Sequence, residues 1–367
     1  MTSPADDARF MALALSLGRR GLGNTWPNPA VGAVAVKDGV IVGRGRTMPG
    51  GRPHAEPGAL QQAGDAARGA TLYVSLEPCS HHGKTPPCAD AIVAAGIARV
   101  VSALEDPNPK VAGQGHARLR ATGTAVDVGI GASEALRAHA GHIRRVRDGR
   151  PHVRLKLAVS SDGKAGLAGR RPAPITGEET RAHVHLMRAM NDAVITGIGT
   201  ILSDDPQLTC RLPGMDNRSP LRVVLDTRLR LPLDSKLVTT ARDVPVWVVT
   251  GETSSTQAEQ ALRACGVEII RVKTAGAGID LAATLQALAE RGLTRVMVEA
   301  GPILSAAFLR ADLVDEAVLL RGPKPVGADG LDALDGLPLD ALTASPRLTA
   351  RGAEAIGHDT IETFERS

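Results

Sequence analysis

Three residues well separated in the chain, His54, Cys79 and Cys88, are of the kinds that hold a zinc ion, so a fold for this chain has to gather three segments around one point. One imidazole and two thiolates fill three tetrahedral positions and leave the fourth for water, whose pKa the metal lowers to about 7. Glu56 stands two residues after His54, and Pro78 directly precedes Cys79. A carboxylate so placed can take the water's proton and deliver it to a departing nitrogen, which leaves as ammonia only once protonated. A purely structural site would need a fourth ligand, which His81 or His82 could supply, but it would have no use for Glu56. The His-x-Glu element with Pro-Cys and a second cysteine is the signature of zinc deaminase chemistry.

The apolar pattern sets the fold class as α/β. Aromatic residues make up only 2% of the chain, so its cores must be built from Val, Leu, Ile and Ala. Phe10, Leu13, Ala14 and Leu17 fall at helical spacing. Val31 to Val36 and Val40 to Gly43 flank Lys37-Asp38-Gly39, a hairpin cue. A helix is expected from about Glu56 to Ala67, a strand from Ala70 to Leu76, a helix from Cys88 to Ala95 and a strand from Arg99 to Ala103. Such alternation implies a sheet covered by helices. A basic helix over Ala135 to Val146 runs into the turn-rich Asp148-Gly149-Arg150-Pro151, where the boundary between domains 1–149 and 150–367 is placed. The pattern then restarts. Strands are expected at Val153 to Val159, Ala193 to Thr196, Leu221 to Leu225, Val244 to Val249 and Val296 to Val298, with a helix over Glu178 to Met190.

Several classes of function are excluded. A net charge of +4 with no block of like charge gives no footprint for nucleic acid or an acidic membrane. No stretch is long and apolar enough to span a bilayer. The N-terminal Met1-Thr2-Ser3-Pro4 lacks the basic start of an export signal, and four cysteines are too few for a disulfide framework. These features predict a cytoplasmic protein with reduced thiols, in which Cys210 and Cys265 are ordinary buried residues.

The first half resembles a known family closely. Eight residues separate Cys79 from Cys88, where nucleoside and nucleic-acid deaminases usually have two. The run EPCSHHGKTPPC (77–88), with PNPAVGAVAV (27–36) and EDPNPKVAGQG (105–115), is similar to the bifunctional deaminase–reductases of riboflavin biosynthesis. The resemblance covers essentially the whole chain. It implies a cytidine-deaminase-like three-layer domain followed by a dihydrofolate-reductase-like domain. The implied substrate is 2,5-diamino-6-ribosylamino-4(3H)-pyrimidinone 5′-phosphate, which loses its 2-amino group, with Asn28 touching it and Lys84 near its phosphate. Two positions depart from the family pattern: Thr47 stands where a histidine is common, and Pro57-Gly58 where Val-His is common.

Read from its residues alone, the second half offers less. Gly197-Ile198-Gly199-Thr200 follows an apolar strand but lacks the third glycine of a dinucleotide fingerprint. Val296 to Pro302 is a strand running into a glycine and a helix, whose free N–H groups could seat a pyrophosphate as readily as they could form an ordinary turn. KLAVSSDGK (156–164), GIGTILSDDPQLTCR (197–211) and VEAGPILSAAFL (298–309) resemble the family's reductase domain. That resemblance implies hydride transfer from NADPH to the ring-opened ribose. It implies cofactor contacts from Ala158, Thr200, Asp204, Thr227 and the loop Gly301, Pro302, Ile303 and Leu304. It also implies substrate contacts from Arg188, Leu208, Arg211 and Glu299, the arginines pairing with phosphate, and a homo-oligomer formed through this half. Where members carry Ser-x-Trp before Ile-Thr-Gly, this chain has Pro172-Ala173-Pro174, which removes an aromatic wall beside the nicotinamide. That loss keeps open a second reading, in which the second half is a non-catalytic dimerisation domain.

Overall fold

The computed structural model describes residues 3–81, 86–109, 111–167, 171, 173–276 and 278–366. It divides into two compact units, Met1–Gly149 and Arg150–Ser367.

The first unit begins with α1 (Pro4–Arg19), β1 (Gly32–Lys37), β2 (Val40–Arg46) and α2 (Ala55–Ala63). It continues with β3 (Thr71–Val74), α3 (Cys88–Ala94), β4 (Arg99–Ser102), α4 (Gln114–Ala121), β5 (Ala125–Val128), α5 (Ala132–Ala138) and α6 (Ala140–Asp148). The strands form one sheet in the order β2-β1-β3-β4-β5, antiparallel at β2-β1-β3 and parallel beyond. Asp38 and Gly39 both take positive φ (50° and 77°), the turn geometry whose twist matches a two-residue hairpin. Alternation along the strands makes two cores. Val34, Val36, Tyr73 and Val101 face α1 and α5, whereas Ala33, Ala35, Leu72, Val74 and Val100 face α2, α3 and α4.

The expected basic helix over Ala135 to Val146 is in fact two helices, α5 and α6, which meet at His139. That residue leaves helical geometry (φ −97°, ψ 11°) and turns inward, its Nε2 lying 3.0 Å from the Ser75 carbonyl oxygen.

Two glycines decide how closely α2 approaches the sheet. A Cβ on Gly43 would lie 2.1 Å from the Ala59 carbonyl oxygen, and one on Gly45 would lie 2.0 Å from that of Ala55. The facing residues of α2 are correspondingly small: Ala55, Ala59 and Ala63. The helix therefore rests almost on the backbone of β2, and its first residues are fixed in depth.

The second unit runs β6 (His152–Val159), β7 (Lys164–Gly166), α7 (Glu178–Ala189), β8 (Ala193–Gly197), α8 (Ile198–Asp204), β9 (Leu221–Leu225) and α9 (Lys236–Thr239). Next come β10 (Val246–Gly251), α10 (Thr256–Ala264), β11 (Glu268–Val272), β12 (Thr274–Ala275), β13 (Gly278–Ile279), α11 (Leu281–Glu290), β14 (Arg295–Val298) and α12 (Pro302–Arg310). The chain ends with β15 (Glu316–Arg321), β16 (Leu331–Asp332), α13 (Asp340–Thr343), β17 (Leu348–Ile356) and β18 (Asp359–Arg366). Nine strands form the main sheet, in the order β11-β10-β9-β8-β14-β6-β15-β18-β17. The first seven are parallel and the last two antiparallel. β14 inserts between β8 and β6, so the loops after these three strands share one edge, where ligands of open parallel sheets bind.

Gly45→Ala should push α2 off the sheet and cost about 1–3 kcal/mol, as overpacking does. A lowered urea midpoint checks this; an unchanged midpoint would show that the contact yields freely.

Candidate functional site

His54 is the N-cap of α2, and its Nδ1 lies 3.7 Å from Cys79 Sγ and 3.3 Å from Cys88 Sγ. Cys88 is the first residue of α3, and its backbone N–H donates to Cys79 Sγ at 3.3 Å. In a tetrahedral zinc site with Zn–N of about 2.0 Å and Zn–S of about 2.3 Å, each N–S edge is about 3.5 Å long. The two measured edges bracket that value, so the donor set fits zinc in both chemistry and size. Among the described residues this group has three members and lacks a fourth protein ligand. His81 is exposed and stands outside it, and His82 lies outside the described residues.

The protons of the metal-free site follow from its geometry. Cys79 is held down to about 4, chiefly by its hydrogen bond with Cys88, while that same bond and burial push Cys88 up. His54 is raised, foremost by its hydrogen bond with Cys79. Glu56, only 3% exposed, is pushed up by burial, against which the neighbouring His54 pulls down. A carboxyl desolvated in this way can hold a proton for part of a reaction cycle.

Two features that support the centre were not read from the sequence. The first is Glu77, two residues before Cys79 and 4% exposed. Its Oε2 accepts from the backbone N–H groups of Asp106 (3.1 Å) and Gly113 (2.9 Å), and its Oε1 from those of Gly115 (2.9 Å) and His116 (3.2 Å). Glu77 also groups with Glu105 and His116, but its oxygens are already taken up by amides, so this cluster is a clamp on the loop and not a second metal site. The signal in the sequence was a carboxylate between apolar Leu76 and Pro78. The second is Thr47, 1% exposed, whose hydroxyl donates to the Pro29 carbonyl oxygen at 3.0 Å and accepts from the Val31 N–H at 3.0 Å. Thr47 thus staples the segment that carries Asn28. The Nδ2 of Asn28 donates to the Gly51 carbonyl oxygen at 2.8 Å, close to the entry of His54. Lys84 lies outside the described residues.

In the second unit the named residues gather at the C-terminal edge of the parallel strands. Ala158 is near the end of β6, Thr200 is in the first turn of α8, Asp204 is the exposed last residue of α8, and Thr227 follows β9. Gly301 is the N-cap of α12, and a Cβ there would stand in ordinary contact with Thr200 Oγ1, at 3.9 Å, so the two lie side by side. Pro302 has no N–H, and the first intrahelical bond of α12 is Ser305 N–H to Gly301. The amides of Ile303 and Leu304 therefore precede the ladder, as an anion seat requires. These residues fit the pyrophosphate of a dinucleotide.

On the substrate side, the fork of Arg188, which the resemblance pairs with a phosphate, is turned to Glu299 in the structure. Nε donates to Oε2 at 2.9 Å, Nη2 to Oε1 at 2.8 Å, and Nη1 to the Thr209 carbonyl oxygen at 3.0 Å. A buried guanidinium requires an anion, and the nearest one is in the protein. Burial alone would raise Glu299, yet Arg188 and Lys156 hold it down to about 2. Leu208, 2% exposed, points into the core from a left-handed backbone (φ 54°) held by that packing. Arg211 is exposed, its Nη1 bound to Gln207 Oε1 and Thr209 Oγ1. Pro174 is exposed, and Pro172 lies outside the described residues.

Comparison with known proteins places both units. Residues 4–104 match the cytidine and deoxycytidylate deaminase zinc-binding region, and residues 151–361 match the RibD C-terminal domain. The chain thus joins a zinc-binding deaminase region to a reductase of the dihydrofolate-reductase-like class. It is 39% identical to the riboflavin biosynthesis protein RibD of Escherichia coli, over 96% of this chain and 97% of that one. Its fold matches a structure of Acinetobacter baumannii RibD with a TM-score of 0.87, at 37% identity and full coverage of both chains. It also matches the diaminohydroxyphosphoribosylaminopyrimidine deaminase/5-amino-6-(5-phosphoribosylamino)uracil reductase of Thermotoga maritima, with a TM-score of 0.85, at 34% identity and 99% coverage of both. The chain belongs to the RibD family of riboflavin biosynthesis proteins.

Cys88→Ser should lose most of its zinc, since two protein ligands rarely retain the ion. Metal analysis of the purified variant decides the matter, and full occupancy would remove Cys88 from the site.

Proposed function

We propose that this chain performs two successive reactions of riboflavin biosynthesis. The unit 1–149 deaminates 2,5-diamino-6-ribosylamino-4(3H)-pyrimidinone 5′-phosphate at its 2-amino group. The unit 150–367 then reduces the ribose with NADPH, giving 5-amino-6-(5-phosphoribitylamino)uracil. The observation that carries the first reaction is the three-donor cluster His54, Cys79 and Cys88 beside the buried Glu56.

Zinc, when bound, supplies a Lewis acid with one open position, at which water becomes nucleophilic near neutral pH. Glu56 accepts the water's proton and returns it to the leaving nitrogen; its burial keeps the proton from exchanging with solvent during transfer. Asn28 contacts the pyrimidine, and Lys84 contacts the phosphate. In the second unit NADPH supplies the hydride. Ala158, Thr200, Asp204 and Thr227 position it, and the amides around Gly301 to Leu304 hold its pyrophosphate. Glu299 binds the substrate and is oriented by Arg188, while the exposed Arg211 takes the phosphate. Leu208 lends shape from the adjoining core. Hydride transfer depends on holding two carbons in near-attack geometry, so these contacts carry most of the rate.

A second half that serves only for dimerisation is not favoured, because the cofactor residues stand together at one sheet edge and only the aromatic wall is replaced, by Pro174. A homo-oligomer through this half and a cytoplasmic location, where NADPH and phosphorylated intermediates occur, complete the reading. Among the described residues no helix is long and apolar enough to cross a membrane.

The test is incubation with the diaminopyrimidinone phosphate, with and without NADPH, followed by product mass. Glu56→Gln should keep its zinc and release ammonia about 10²–10⁴-fold more slowly, the usual contribution of a proton shuttle. Wild-type deamination by that variant would assign the proton to another group.

Arg211→Ala should raise the KM for the deaminated, phosphorylated intermediate at least tenfold, roughly the worth of one charge-assisted hydrogen bond, with little change in the KM for NADPH. Initial-rate measurements with each ligand varied in turn check this. Parallel loss of both affinities would contradict a phosphate role.

A further inference from the structure

Three side chains on the substrate side of the second unit converge on one residue, Thr209. Its carbonyl oxygen accepts from Arg188 Nη1 at 3.0 Å and lies 2.9 Å from Nδ1 of His185. Its hydroxyl lies 3.1 Å from Arg211 Nη1. Arg188 and Arg211 have roles in the reading above, and His185 has none.

The contacts of His185 fix which ring nitrogen carries the proton. A carbonyl oxygen can only accept, so the 2.9 Å contact makes Nδ1 the donor. The Arg211 amide nitrogen, 3.3 Å from Nδ1, is the longer, competing contact. With Nδ1–H spent on Thr209, a neutral ring keeps its lone pair on Nε2. The residue is half-buried, and among the described residues no group bonds Nε2, which is not shut away from solvent. Only Met190, Asn191 and Asp192 separate α7 from the start of β8. His185 therefore stands about one turn further than Arg188 from the N-terminal edge of the strands. The buried Arg188 is taken up by Glu299, and the half-buried His185 and exposed Arg211 form the next layer out.

The charge around His185 is lopsided. Arg188 on α7, Arg211 on the segment after α8 and Glu299 after β14 all act on it. Arg181, one turn away on α7, is turned to the Thr176 carbonyl oxygen at 3.0 Å, and Cys210 is buried near Arg188. Glu299 is matched by Arg188 and by Lys156, 3.7 Å away. Arg211 has only neutral acceptors among the described residues, Gln207 Oε1 and Thr209 Oγ1. A guanidinium without a counter-ion, beside an imidazole with a free nitrogen, suits a dianion. Burial first, and then Arg188, keeps His185 below the ordinary histidine range, so without a ligand it is neutral near pH 7.

We infer that His185 is a further binding residue for the phosphate of the second reaction's substrate, its Nε2 bonding that phosphate beside Arg211, and that a proton is taken up as the bond forms. The inference rests on the reductase reading of the second unit and adds a residue and a proton to it. A phosphate monoester, whose second pKa is about 6, and the neutral imidazole both arrive at pH 7 mostly without the proton that their bond needs. Solvent supplies it, the Nε2 lone pair accepts it, and the new N–H donates to a phosphate oxygen. No bond to phosphorus changes. The contact is held at low pH and weakens as pH rises through the value that His185 takes in the complex.

The test is calorimetric titration of the full-length zinc-loaded protein with 5-amino-6-(5-phosphoribitylamino)uracil and with its unphosphorylated counterpart. Buffers of different protonation enthalpy are compared about one unit above the ordinary histidine pKa. Wild type should take up between about half a proton and one proton with the phosphate present, and none without it. His185→Ala should bind the phosphorylated ligand roughly tenfold more weakly, the loss of one charge-assisted hydrogen bond at a half-exposed position. Its NADPH affinity should be unchanged, which shows that it is folded. His185→Gln keeps a hydrogen-bond donor but cannot titrate. It should bind within about threefold of wild type yet lose the phosphate-dependent proton uptake, a split that a merely structural histidine would not give. Undiminished proton uptake in both variants, or unaltered affinity in His185→Ala, overturns the assignment. Uptake that requires His185, in a protein that never oxidises NADPH with the deaminated intermediate, would remove the reductase reading and leave the phosphate contact standing.

Discussion

A carboxylate shut away from water must find donors for both oxygens, and Glu77 finds four of them in the backbone that leads from β4 into the first turn of α4. The bond network runs onward from there. Asp106, whose N–H reaches Glu77, accepts from the Asn108 N–H at 2.8 Å and lies 3.0 Å from His142 Nε2 on α6. A Cβ on Gly115 would come within 2.0 Å of the Pro78 carbonyl oxygen, so the first turn of α4 sits directly on the residue before Cys79. The cysteine-bearing loop is thus held from beneath by groups that never touch the metal. Its geometry depends on this one buried charge being fully satisfied, because a half-satisfied one would cost more than an apolar residue in its place.

The two units solve a similar problem with similar means. Each places its chemistry where helices begin: His54 and Cys88 at the starts of α2 and α3, Thr200 and Gly301 at the starts of α8 and α12. In the first unit the Cys88 amide donates to Cys79 Sγ, which favours thiolate and thereby the metal. In the second the amides that precede the ladder of α12 suit a phosphate. What differs is the supporting charge. The metal centre draws on a carboxyl raised by burial, Glu56, whereas the second unit holds a carboxylate kept ionised by Arg188 and Lys156, Glu299. One is suited to exchanging a proton and the other to remaining charged.

Much of this was legible in the sequence, for definite reasons. Strands such as Val153 to Val159 and Leu221 to Leu225 show because their residues are apolar and β-branched, and the hairpin shows because Asp38-Gly39 can take positive φ at both positions. The metal donors show because the motif is short and chemically specific. Relations across long stretches of chain did not show. Arg188 and Glu299 are 111 residues apart, and only the insertion of β14 beside β8 makes them partners. The break at His139 is set by a hydrogen bond to Ser75, which no local periodicity encodes. The pair β17–β18 escaped notice because β17 is exposed along most of its length and carries little apolar alternation.

The insertion of β14 also orders events during synthesis. β6 is the first strand of the second unit to leave the ribosome, yet its partners are β14 and β15, with Val153 beside Val296 and Lys156 beside Val318. Strands of the first unit pair with close neighbours in the chain, as β1 does with β2 and β3. Closing a sheet through contacts so distant is slow, because the loop entropy is lost before the pairing is gained. A nascent chain halted before Arg295 therefore bears a finished metal-binding unit tethered to an open row of apolar strand edges, the surface that chaperones hold and that aggregates grow from.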